Sequence, residues 1–182
     1  EFNRILSQAI SFYGESNNKD FRTEIKSKET SKIDTKSYKS ILNEKELNKL
    51  IKNLNDKLVI AVDTETSSLN PQEAELIGIS ISYATNASFY IPLGHKNTKG
   101  IKKDLVLAKL KVILEDPGIK KVCQNTKYDF IILKNHGVEL NPVEDTMLLS
   151  YTLDAGNNRH NMDTLSEICL LYTSDAADEE DS

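Results

Sequence analysis

Asp63 and Glu65 are the residues of this chain best placed to do chemistry, two carboxylates two positions apart at the end of the apolar run from Leu58 to Val62. On a strand, side chains at i and i+2 point to one face, so the two acids converge. Like charges held that close either raise one pKa or demand a cation between them. A divalent metal with oxygen ligands is the simplest resolution. A third carboxylate, Asp129, follows Asn125-Thr126-Lys127-Tyr128 at a strand-to-helix junction, where the helix dipole favours negative charge. Three carboxylates from two segments fit a two-metal site for in-line phosphoryl transfer.

The elements that must position these acids follow from periodicity. Asn43 and Glu46 form a capping box ahead of the stripe Leu47, Leu50, Ile51 and Leu54, which predicts an amphipathic helix before the first strand. Leu58 to Asp63 reads as a central strand. The runs 76–83 and 87–93, separated by Ala84-Thr85-Asn86, predict an antiparallel hairpin. A helix carrying Val106, Leu107, Leu110, Ile113 and Leu114 ends at Asp116-Pro117-Gly118. A short strand over 121–124 leads into a largely buried helix over 126–136, stopped by Gly137. Helices over 145–153 and 162–168 complete an α/β layered domain with a mixed sheet.

Composition sets the outer limits. Hydrophobic residues make up 38% and charged residues 28% of 182 positions, enough for one full domain with appended pieces. No apolar run approaches the ~18 residues of a membrane span. Cys123 and Cys169 lie far apart without metal-ligand spacing, so a reducing cytoplasm is the default expectation. The net charge of −5 comes from residues 169–182, which hold Asp175, Asp178, Glu179, Glu180 and Asp181 and no base. The remaining 23 acids balance the 23 bases, so the acidity belongs to the tail and does not exclude a nucleic-acid partner. Residues 14–39 are polar and aperiodic and read as a linker. His95, His136 and His160 lack the spacing of a metal triad, and Cys123 reads as a small core residue.

Taken in order, Asp63-Thr64-Glu65-Thr66 with Leu69, then Gln124-Asn125-x-Lys127-Tyr128-Asp129, Asp145-Thr146-Met147 and Arg159-His160-x-Met162-Asp163 resemble the 3′-5′ proofreading exonuclease domain of bacterial family A DNA polymerases. The similarity covers about residues 40–168, and the ordered motifs are far more specific together than singly. Glu1-Phe2-Asn3-Arg4 is similar to the close of the preceding 5′-nuclease domain, so residues 1–13 are expected to end that domain. The resemblance implies an RNase H-like exonuclease fold, a mixed central sheet flanked by helices, that removes the 3′-terminal nucleotide of single-stranded DNA. It implies two divalent ions, Mg2+ or Mn2+, held by Asp63, Glu65 and Asp129, with Asp63 shared between both. It further implies an apolar wedge at Leu69, a backbone contact at Thr66, and a grip on the single strand from Gln124, Asn125, Tyr128 and Arg159. Expected partners are the DNA 3′ end and the polymerase and 5′-nuclease domains of one parent chain, acting as a monomer in the cytoplasm. From the residues alone, Tyr128 reads equally as a core aromatic and Arg159 as a solvated cation.

The family completes its site with a later Tyr-x-x-x-Asp motif, and none follows Asp163 here. Residues 169–179 match the in-frame translation of a transposase-type sequencing adapter, so the domain is expected to be C-terminally truncated, with natural sequence stopping near Ile168; a divergent acidic tail is the alternative. The fragment is accordingly expected to turn over poorly. Two other readings stay open: a non-catalytic domain that spaces or binds DNA, and a stand-alone ribonuclease of the same fold.

Overall fold

Helix α1 (Glu44–Asn55) begins where Asn43 caps it, its Oδ1 accepting the Glu46 amide at 3.0 Å, while Glu46 reaches back to the Leu42 amide at 3.2 Å. Its stripe does what the spacing predicts: Leu47, Leu50 and Leu54 are buried and Ile51 packs beside them. The computed structural model describes residues 37–94, 100–156 and 159–170, with only the backbone of Cys169 and Leu170. Residues 1–13, nearly all of the linker, His95 and the tail from Leu171 lie outside the described residues.

The sheet has six strands, β1 (Lys39–Ser40), β2 (Val59–Thr66), β3 (Leu76–Ser82), β4 (Ser88–Pro92), β5 (Lys120–Cys123) and β6 (Val143–Asp145), in the spatial order β1-β4-β3-β2-β5-β6. The expected hairpin is there: β3 pairs antiparallel with β4, and Asn86 turns the chain at φ 60°. After β4, helix α2 (Lys103–Leu114) carries the chain across to the other side of β2, where β5 and β6 add in parallel. Helices α3 (Thr126–Asn135), α4 (Thr146–Leu153) and α5 (Met162–Leu170) follow.

Two strands differ from the sequence expectation. Lys39, assigned to the linker, begins an edge strand paired with Phe89 of β4, and Val143–Asp145 forms β6 ahead of the helix expected from Asp145. Both are two or three residues long, too short to generate a period that a sequence window can detect.

The core fills one face of the sheet. Ile60, Val62, Ile79, Ile81 and Ile91 meet Leu50, Leu110 and Ile113 from α1 and α2, all nearly inaccessible to solvent. On β2 the alternation is strict, with Val62 and Thr64 buried and Ala61, Asp63 and Glu65 open on the opposite face. Among the described residues no helix is long and apolar enough to cross a membrane.

Lys121 sits fully buried in β5 with no buried carboxylate opposite it. Its ammonium donates instead to the carbonyls of Asp116, Ile119 and Asn141 at 2.6–2.7 Å, so all three protons are used. Desolvation lowers its pKa, with Asp116 opposing the shift. The lysine thereby ties the end of α2 to the start of β6 and fixes β5 between them. Replacement by methionine, Lys121→Met, leaves three carbonyls without that donor and is expected to cost about 3 kcal/mol of stability, read from the urea midpoint.

Candidate active site

Asp129 lies in the first turn of α3, as expected, and is buried at 3% exposure. Its Oδ1 accepts two hydrogen bonds from Thr64, one from the amide at 3.0 Å and one from the hydroxyl at 2.6 Å. Thr64 stands between Asp63 and Glu65, so a carboxylate 65 positions away in sequence is pinned to the middle of the acidic strand. β5 supplies the room, because its pairing with β2 stops at Ala61 and leaves the later amides of that edge to another acceptor.

The electrostatics follow from this crowding. Desolvation raises the Asp129 pKa to about 6, with Asp63 adding to the shift and the Thr64 hydrogen bonds opposing it. Asp63 is also held above the ordinary carboxylate value, first by desolvation and then by the Glu65 charge. Water reaches Asp63, which screens both effects. Asp63 is thus the member that interacts with each of the other two. Among the described residues no group of three or more His, Cys, Asp or Glu side chains is arranged around one metal position.

The flanking residues divide by what they touch. Tyr128 donates its hydroxyl to the Ser68 carbonyl at 2.5 Å and meets the Thr66 hydroxyl at 2.5 Å, so it latches the loop after β2. That loop presents Leu69 at 94% exposure, a leucine left uncovered by the described residues. Gln124 donates to the His160 carbonyl at 2.8 Å while its own carbonyl meets the Thr146 hydroxyl, so both ends of its amide hold the chain in place. His160 is buried, with its ring against Tyr151 and Nδ1 2.8 Å from the Ser150 hydroxyl. Arg159 beside it is exposed. Asn125 adopts φ 58° and makes no side-chain cap. Cys123 is a core residue as expected, its thiol pushed up to about 12 chiefly by desolvation.

A groove of about 960 Å3 opens on the sheet face that carries Asp63. Ala61, Ser80 and Ser82 floor it, and Leu149, Met162 and Leu165 from α4 and α5 wall it. Sequence reading missed two residues here. Thr64 was passed over between two acids, although a hydroxyl at that point is what a neighbouring carboxylate can bind. Tyr90 lies across β3 with its phenol filling the space a β-carbon on Gly78 would need. Its pKa is raised by desolvation and then by Glu65, so it stands near the acidic strand.

The Asp129 shift makes a prediction with a definite sign. Unfolded, this group titrates near 3.8, and folded near 6, so in that window the folded state holds a proton that the unfolded state has lost. Metal-free stability is expected to fall as pH rises from 4 to 6, by at most about 3 kcal/mol, and Asp63 acts in the same direction. Asp129→Asn keeps an acceptor for Thr64 without the charge, so it should flatten that slope and melt no lower than wild type at pH 7.5, as followed by calorimetry.

Residues 38–179 match the DNA polymerase A family model described as 3′-5′ exonuclease. The DNA polymerase I of Rhizobium leguminosarum is 42% identical over 135 residues, 63% of this chain and 13% of the polymerase. That of Borreliella burgdorferi is 39% identical over 143 residues, 77% of this chain and 16% of the polymerase. The chain therefore spans about a seventh of the length of these relatives. Among solved structures, the Aedes aegypti Nibbler EXO domain superposes with a TM-score of 0.66 at 14% identity, covering 85% of this chain and 78% of that one. Escherichia coli RNase D gives 0.62 at 24% identity, covering 76% and 34%. The six-stranded mixed sheet is thus the RNase H-like exonuclease fold that the motifs imply, and the chain belongs to the DNA polymerase A 3′-5′ exonuclease family.

Proposed function

We propose that this chain is the proofreading part of a DNA polymerase I, which hydrolyses the 3′-terminal phosphodiester of single-stranded DNA with two divalent cations. One observation carries the reading: Asp129 is bonded to Thr64, which stands between Asp63 and Glu65, so a buried acid is fixed against the acidic strand whose Asp63 lines a groove. The similarity to DNA polymerase I at 39–42% identity favours DNA over RNA and a polymerase parent.

The donors fit such ions. All are carboxylate oxygens, and Mg2+ commonly takes one or two carboxylates and completes its shell with water and substrate phosphate, so a full protein cage is unnecessary. Asp63 and Glu65 would hold one ion and Asp63 and Asp129 the other. Burial first, and then the neighbouring acid, raise the pKa values of Asp63 and Asp129, and a cation beside them would favour their charged forms. What the ions supply when bound is a more acidic water and neutralised charge at the leaving 3′ oxygen.

The chain's own residues do the rest. Thr64 fixes the Asp129 carboxylate so that it does not reorganise during reaction. Tyr128 and Thr66 brace the loop that offers Leu69 to the face of the terminal base, and Gln124 holds the segment that offers Arg159 to phosphate. Water opens the phosphodiester at phosphorus, releasing a nucleoside 5′-monophosphate and a new 3′ hydroxyl.

The test is Mg2+- or Mn2+-dependent release of deoxynucleoside monophosphate from a labelled 3′ end, run beside an RNA of the same sequence. Expected are slow release from DNA and a loss of more than about 100-fold in Asp63→Ala, beyond what removing a partner outside the ligand shell costs. Preferential release from RNA would favour the ribonuclease reading, and metal-independent DNA binding without release the spacer reading.

A further inference from the structure

Helix α3 carries Asp129, yet it starts without a cap of its own. Asn125, the residue before it, is left-handed at φ 58° and its side chain makes no capping hydrogen bond, so the first amides of the helix need an acceptor from elsewhere. The acceptor comes from β6. Cys123 and Asp145 are register partners in the parallel pair of β5 and β6, which puts the Asp145 carboxylate beside the first residues of α3. Its Oδ2 accepts the Thr126 amide at 2.8 Å and its Oδ1 the Asn125 amide at 3.1 Å. The same carboxylate is the N-cap of α4, Oδ1 accepting Met147 at 2.9 Å and Leu148 at 3.4 Å.

We propose that Asp145 is a positioning residue for the acidic site: one carboxylate caps two helices at once and so sets where Asp129 meets β2. Only a carboxylate can do this, since both oxygens accept: Oδ1 gathers Asn125, Met147 and Leu148, and Oδ2 takes Thr126. Its negative charge faces the positive ends of both helix dipoles. Thr126 and Asp129 are three residues apart, one above the other on α3, so a shift of the first turn is passed directly to the Asp129–Thr64 bond. A neutral amide whose oxygen takes the Oδ1 place leaves the Thr126 amide, the first of α3, without its acceptor, because its nitrogen cannot accept. A glutamate keeps the charge but carries it one methylene too far to serve both helices.

The inference rests on the exonuclease reading for its purpose but not for its geometry, and the experiment separates the two. Asp145→Asn and Asp145→Glu are compared with wild type and with Asn43→Ala, which removes the remote cap of α1. Two quantities are read at a temperature where all four are folded: hydrogen exchange of the Thr64 amide, which reports the bond to Asp129, and the Mn2+ dissociation constant. Both Asp145 variants are expected to lose Thr64 protection and to weaken Mn2+ binding about tenfold. Asn43→Ala should lower the melting temperature and change neither. Unchanged Thr64 protection in both Asp145 variants would overturn the proposal, as would full recovery in Asp145→Glu, which would assign the effect to charge. If wild type bound no Mn2+ while Thr64 protection still fell in both variants, the metal reading would fail and the positioning role would stand.

Discussion

The site depends on one carboxylate oxygen taking two hydrogen bonds from one threonine. β5 leaves β2 after Ala61, so the Thr64 amide has no strand carbonyl on that side, and Asp129 Oδ1 serves in its place while also holding the Thr64 hydroxyl. An unsatisfied amide there would be costly, and a free carboxylate in the same place costlier. The pairing answers both. It also brings an acid from a helix against a strand whose neighbouring positions are acidic.

That arrangement brings a buried acid close to two exposed ones at the end of a central strand. The core is apolar and dense on one face, formed by the isoleucines of β2, β3 and β4 under α1 and α2, so the strand that carries Asp63 and Glu65 has little freedom to move. Burial comes first in raising the proton affinity of Asp63 and Asp129, and the neighbouring charge, Glu65 on Asp63 and Asp63 on Asp129, adds to it. Local destabilisation of this kind is what a functional site retains at the expense of stability. The opposite face is built of alanine, glycine and serine on β2 and β3, which leaves a groove beside the acids.

Much of this was legible in the sequence, and the reasons are specific. Asp63 and Glu65 could be read because a strand alternates with period two, and the first helix because Asn43, Glu46 and four apolar residues agree on its start and its face. The bond between Asp129 and Thr64 could not, since nothing local in either segment encodes a contact 65 residues apart. Asp145 was read as the opening of a helix, which is half of its role; the other half depends on the register of β6, a strand of three residues with no periodic signature. Gln124 and Tyr128 stood out by type and position. Their partners, the His160 carbonyl and the Ser68 carbonyl, are backbone atoms that no residue type announces.

If Asp129 is a desolvated acid whose charge a bound cation stabilises, as proposed, the direct measurement is its own titration by carboxyl carbon NMR, with and without Mg2+. Without metal it should titrate near 6. With saturating Mg2+ the midpoint should fall to the ordinary carboxylate range or below it. A midpoint near 4 in the metal-free chain, or one near 6 that Mg2+ leaves unmoved, would contradict the account.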